Sequence, residues 1–136
     1  MSVFFAADRA PVELRPRSGT GEIVQEMPLP GLVKHSVAFI SLPLGTGSPV
    51  HYHPEAEESY VIVSGRAVIT LWPKGNVGLR QRHHLGPGDV VGIQCNTWHH
   101  VIATEGQLDM YVACCPPFVA GNMVCADSVA DAERMN

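Results

Sequence analysis

The sequence predicts an all-β domain of the sandwich or barrel type, and three observations carry that expectation. Short apolar runs recur along the whole chain, and each is cut off by turn residues. The punctuation is dense, with 13 glycines and 11 prolines spread between those runs. The apolar fraction of 46% in 136 residues supports one core and is too high for extended disorder. No linker and no internal repeat divides the chain, so residues 1–136 are expected to form a single domain.

The elements follow in order. Val3–Ala6, Val12–Leu14 and Ile23–Met27 read as edge strands with a loop, split by Pro11, Pro16 and the glycines at 19 and 21. Pro28, Leu29, Pro30 and Gly31 form a turn. Val33–Leu44 alternates weakly, with Val37, Phe39 and Ser41 on one face and Ala38, Ile40 and Leu42 on the other. Gly45, Gly47 and Pro49 make a loop, Val50–His53 is extended, and Pro54 ends it because proline cannot donate to a ladder. Glu58–Val63 is a strand that Ser64 and Gly65 are expected to turn. Arg66–Trp72 follows, with Lys74, Gly75 and Asn76 as a hairpin tip. In Leu79–Leu85 the positions Leu79, Gln81, His83 and Leu85 should face inward. Gly86–Asp89 is a tight turn, Val90–Ile93 a buried strand and Gln94–Thr97 a further turn. Trp98–Ala103 and Leu108–Cys115 are the last clear strands, and Pro116 and Pro117 stop the second. Ser128–Met135 has one or two helical turns in it, with Ser128 as cap.

Composition excludes several partners. The formal charge is −4, without a basic stripe, which speaks against nucleic acid. No apolar run reaches the ~18–20 residues of a membrane span. Asp8 and Arg9 come too early for a signal-peptide core. The cysteines at 95, 114, 115 and 125 show no CxxC spacing, so reduced thiols in the cytoplasm are expected.

The chemistry concentrates between Gly45 and Gly65. His51 and His53 are two apart, and in an extended strand they face the same way. Two imidazoles and the carboxylate of Glu58, converging on one point, form a metal-ligand set, with His99 as the fourth candidate. Glu58 lies an odd number of positions from His51, so a register shift at Pro54 is needed to bring them together.

These residues resemble the cupin family. Its first motif, G-x5-H-x-H-x4-E-x6-G, is matched at every fixed position by Gly45, His51, His53, Glu58 and Gly65. Its second, G-x5-P-x-G-x2-H-x3-N, is matched by Gly88 and His99, while Gln94, Asn96 and Ala103 stand for the proline, glycine and asparagine. The segment between the motifs, Arg66 to Pro87, has 22 residues, and the resemblance covers about residues 42–112. It implies a small antiparallel jelly-roll barrel holding one divalent transition metal per chain on His51, His53, Glu58 and His99. Asn96 can take the left-handed conformation that glycine favours, so the turn before His99 should survive the substitution.

Four protein ligands leave two positions of an octahedral ion open for water, O₂ or substrate. Fe(II) is the first candidate, and Mn, Ni, Co and Zn suit the same donors. Tyr60 shares the Glu58 face, either as an acid or base or as a filler of the barrel. Phe39, Ile62, Ile69, His83 and Cys95 are the remaining pocket candidates. Arg80 and Arg82 read as a solvated face, and His100 as surface or interface. The function expected is a metal-dependent oxidoreductase of dioxygenase type on a small organic substrate. Its alternatives are a non-redox lyase, isomerase or cyclase, and a non-catalytic binding module. A chain of this length is expected to have no attached DNA-binding or catalytic domain to signal to, which weighs against the last. A homodimer is expected, with the N-terminal strands and Trp98 as candidate interface.

Overall fold

A computed structural model describes residues 15–16, 22–27 and 33–135. The strands expected at Val3–Ala6 and Val12–Leu14 and the turn at Pro28–Gly31 lie outside the described residues. Within them the chain forms β1 (Arg15–Pro16), β2 (Ile23–Met27), β3 (Ser36–Leu42), β4 (Val50–Tyr52) and β5 (Glu57–Pro73). It continues as β6 (Gln81–Leu85), β7 (Val90–Ile93), β8 (Thr97–Cys115), β9 (Val124–Ala126) and α1 (Val129–Arg134). No described helix is long and apolar enough to cross a membrane.

Two long strands organise the fold. β5 and β8 pair antiparallel from Glu57 opposite Cys115 to Pro73 opposite Thr97. One half of this ribbon carries β6, β4 and β9, and the other carries β7, β3, β2 and β1. Between the halves the register shifts at Ile62–Ser64, Ser64–Arg66 and Arg66–Ala67, so the ribbon bends and the sheet curls into a jelly-roll half-barrel. The sequence expectation of a turn at Ser64 and Gly65 is corrected here. Gly65 has φ +80° and Gly106 has φ +67°, and they bend two continuous strands instead of reversing the chain. The long strands turn the corner at bulges, where the ladder is locally interrupted, and resume pairing beyond it.

Gly65 is pinned by contact as well as conformation. A Cβ there would stand 2.2 Å from the carbonyl oxygen of Gln107. Gly65→Ala should therefore cost about 2–4 kcal/mol, combining left-handed strain with that clash. Urea denaturation would check it, and a loss below about 0.5 kcal/mol would contradict this account of the bend.

Two cores lie on opposite faces of the sheet. The concave face buries Ile40, Leu42, Ile62, Ile69, Val101 and Met110, among others. The outer face of β4, β5 and β8 buries Val50, Tyr52, Trp72 and Trp98 beneath Ala132 of α1. Ser128 caps this helix as expected, its hydroxyl accepting from the Asp131 N–H. Trp98 is 1% exposed inside this second core, so it is not an interface residue of the single chain.

Candidate metal centre

The concave face of β4 and β8 places two imidazoles side by side. His51 stands directly opposite His99 in the ladder, and their ring centroids are 4.1 Å apart. His53 follows at the end of β4, on the same face. Glu58 comes from the start of β5, in the other half of the sheet. The chain thus delivers Glu58 from a separate strand, and parity counted through Pro54 does not decide its direction.

The four side chains converge. All are buried, and one donor atom from each lies within 4.8 Å of the others. Glu58 Oε1 is 2.9 Å from His53 Nε2, 3.1 Å from His99 Nε2 and 3.9 Å from His51 Nε2. The outer ring nitrogens are tied to the backbone. His51 Nδ1 donates to the Pro49 carbonyl and His99 Nδ1 to the Thr97 carbonyl, each at 2.8 Å. A carbonyl only accepts, so in the neutral rings Nδ1 carries the proton and Nε2 presents a lone pair. Lone pairs from two imidazoles therefore face a carboxylate oxygen in a buried space. His53 Nε2 is buried 2.9 Å from the same oxygen. A cation satisfies all of these atoms at once, and the donor set is one that divalent transition metals accept. The residues fit a bound metal ion.

Titration behaviour agrees with that arrangement. Burial, reinforced by the neighbouring His99, holds the His51 imidazole well below its ordinary range, so it is neutral at pH 7. Burial alone raises the Glu58 carboxyl, but in the metal-free site the rings of His53 and His99, when protonated on both nitrogens, turn Nε2–H groups and positive charge onto it, and this outweighs burial and holds it below the usual carboxylate range. Both shifts make the metal-free fold acid-sensitive. The unfolded chain takes up the proton that folded His51 excludes, so stability is lost as pH falls below about 6.5, the ordinary histidine value. Glu58 adds to the loss below its ordinary 4.5, as pH falls toward its depressed folded value. Urea midpoints of chelator-treated protein from pH 8 to 4 should fall steadily on the acid side; a midpoint that rises there would contradict the assignment.

The turn between β7 and β8 locks the site's rim. Asn96 has φ +57°, the left-handed conformation expected of it, and its N–H donates to the His53 carbonyl at 2.8 Å. The Asn96 carbonyl accepts from the Lys74 N–H at 2.8 Å, which ties the end of β5 to the same turn. Ser48 holds the opposite side, where its hydroxyl accepts from the Val101 N–H at 3.0 Å.

The structure sorts the other candidates. Tyr60 is buried on the Glu58 face, its ring 5.9 Å from His99 and steeply tilted to it. Ile62 and Ile69 belong to the apolar floor of the concave face. His83 is exposed on β6, and Cys95 is exposed in the turn beside Asn96. Phe39 is corrected: it lies on the face opposite Ile40 and Leu42 and packs edge-on against the exposed ring of Tyr111, outside the pocket. Strand β3 carries apolar side chains on both faces, so alternation alone could not say which face was inside. His100 is half-buried, with Nδ1 donating to the Ser48 carbonyl at 2.7 Å.

Two neighbours of the site were missed in the sequence. Phe118 lies with its ring 6.1 Å from His53. Cys114 stands opposite Glu58 in the ladder, where burial first and the Glu58 charge second push its thiol up to about 11. Parity on β8 could have found Cys114, because it shares a face with Met110 and Val112.

Comparison with known proteins agrees with the fold. The family model described as a cupin domain matches residues 38–114. An uncharacterized protein of Methanocaldococcus jannaschii, MJ1618, is 30% identical over 103 residues, 72% of this chain and 76% of that protein. Among solved structures, oxalate decarboxylase of Lactobacillus farciminis superposes with a TM-score of 0.68 at 18% identity. That match takes in 82% of this chain, which spans only 33% of the decarboxylase chain. A single-residue variant of Streptomyces PAC13, solved with uridine, superposes with a TM-score of 0.69 at 18% identity. It is matched along 96% of its length, with 93% of this chain covered. With a family model spanning more than half of its residues and the motif ligands gathered in one buried group, the chain belongs to the cupin family.

Proposed function

We propose that this cupin is a metal-dependent enzyme acting on a small organic molecule, with dioxygenase-type oxidation on Fe(II) as the leading chemistry. The observation that carries the reading is the convergence of three Nε2 atoms on one buried carboxylate oxygen. His51, His53, Glu58 and His99 would hold the ion, and it would supply Lewis acidity together with open positions for O₂ and substrate. The chain's own residues do the rest. Glu58 balances the ion's charge, while the Pro49 and Thr97 carbonyls fix the tautomers of His51 and His99. The apolar floor around Ile62 and Ile69 keeps water out from below. The likeness to an oxalate decarboxylase supports small organic acids as the first substrates to test.

Tyr60 favours a second reading. A buried phenol on the Glu58 face, near His99, is placed to hold or release a proton in a non-redox lyase, isomerase or cyclase reaction. An oxygen electrode separates the two on iron-loaded protein with a panel of small acids and carbonyl compounds. Substrate-dependent oxygen uptake supports the oxidoreductase. Turnover that persists without oxygen, with zinc or nickel bound, selects the second reading. Ligand-induced stabilisation without product would leave a binding module.

A homodimer is part of the same proposal. Phe39, Tyr111, Val61 and Val90 are successive ladder neighbours on the outer face, away from the metal group. Of these, Tyr111, Val61 and Val90 are exposed, and a second copy would cover them. Sedimentation at micromolar concentration should give the dimer mass; a monomer would refute it.

A further inference from the structure

The concave face carries a polar pair that the metal group does not use. On this face the ladder runs His51 opposite His99, His99 opposite Leu71, and Leu71 opposite Gln81. Directly opposed residues of antiparallel strands project to the same side. Gln81 is therefore level with His51 and His99, two strands beyond His99. His83 stands opposite Ile69, one layer deeper on the same face. Leu85, two positions further along β6, is buried in the concave core, which confirms the direction of this face. The apolar pattern starts only at Leu85: the inward positions before it, His83 and Gln81, are exposed and polar, on a strand that among the described residues pairs with β5 alone.

The two side chains are bonded to each other, His83 Nε2 to Gln81 Oε1 at 3.0 Å. The Gln81 oxygen can only accept, so His83 Nε2 donates, and the pair offers the Gln81 amide N–H groups and the His83 Nδ1 lone pair outward. Two strand spacings separate this pair from His99, about 10 Å. Between them lies Leu71, partly buried against the concave core.

We propose that Gln81 and His83 form a second subsite of the metal pocket that anchors an oxygen-bearing tail of the substrate. The inference rests on the metal-dependent reading and narrows its substrate class. The substrate has an acid or carbonyl head for the ion, an apolar stem that lies across Leu71, and a tail about 10 Å away that accepts from the Gln81 amide.

Isothermal titration on the metal-loaded full chain tests it with three probes: oxalate, octanoate and suberate. Octanoate and suberate have equal stems, but only suberate carries the tail oxygens. Suberate should bind at least about 10-fold more tightly than octanoate, the worth of one good hydrogen bond to a charged group. The exposed double variant Gln81→Ala/His83→Ala should erase that gap, while Arg82→Ala, at the β6 position whose side chain projects to the outer face, should keep it. Equal binding of suberate and octanoate, or a gap that survives the double variant, would overturn the subsite alone if oxalate still binds. A chain that takes up neither metal nor oxalate would overturn the metal reading and this inference with it.

Discussion

Glu58→Gln should empty the metal centre while leaving the fold in place. The amide has nearly the carboxylate's shape, so packing around it is kept. What is lost is the negative charge that three Nε2 atoms surround at 2.9–3.9 Å. Loss of an outer partner of a metal ligand already costs about 10–100-fold in affinity, so loss of the only anionic ligand should exceed about 100-fold. His99→Ala should act similarly, because it removes a donor held at 3.1 Å from the same oxygen. Competition titration against a chelating dye measures the affinity. If Glu58 were only one member of a structural cluster, its substitution would lower stability and leave metal affinity within a few-fold. That result would contradict the assignment.

Trp98→Ala should be the most destabilising single truncation. Trp98 is 1% exposed, its ring stacks on Trp72 at 6.2 Å between centroids, and Tyr52 meets it edge-on at 4.7 Å. Removing a buried tryptophan costs about 3–5 kcal/mol through lost burial and the cavity left behind. For a chain of this size that is a fall of about 10–20 °C in melting temperature. Trp98→Phe should be milder, because the buried indole Nε1 has no hydrogen-bond partner among the described residues to lose. The loss reaches the site through the backbone, since Trp98 directly precedes His99 and Tyr52 lies between His51 and His53. Calorimetry of both variants with and without metal checks this. A shift of only a few degrees in Trp98→Ala would mean that α1 does not form a true second core.

The metal group was legible in the sequence because its signal is local. His51 and His53 share a face by simple alternation, and the fixed spacings to Glu58 and His99 supplied the rest through family resemblance. The left-handed Asn96 and the cap at Ser128 were readable for the same reason, being properties of single residues. Non-local features were not. Gly65 looks identical in sequence whether it reverses a strand or bulges it, and only the Gln107 carbonyl across the ribbon decides. Strand β9 has three residues, too few for any period to show. Phe39 was misplaced because β3 lacks the polar alternation that marks an outer face. The Gln81–His83 pair was visible as inward parity, but its level beside His99 depends on the register of three strands.

Metal content of untagged protein, measured by mass spectrometry beside the Glu58→Gln variant, decides whether the buried His51, His53, Glu58 and His99 group is a metal centre. About one divalent transition ion per wild-type chain and almost none in the variant are expected. A wild-type chain that carries no metal, and takes up none on titration with iron, manganese, nickel, cobalt or zinc, would contradict that assignment.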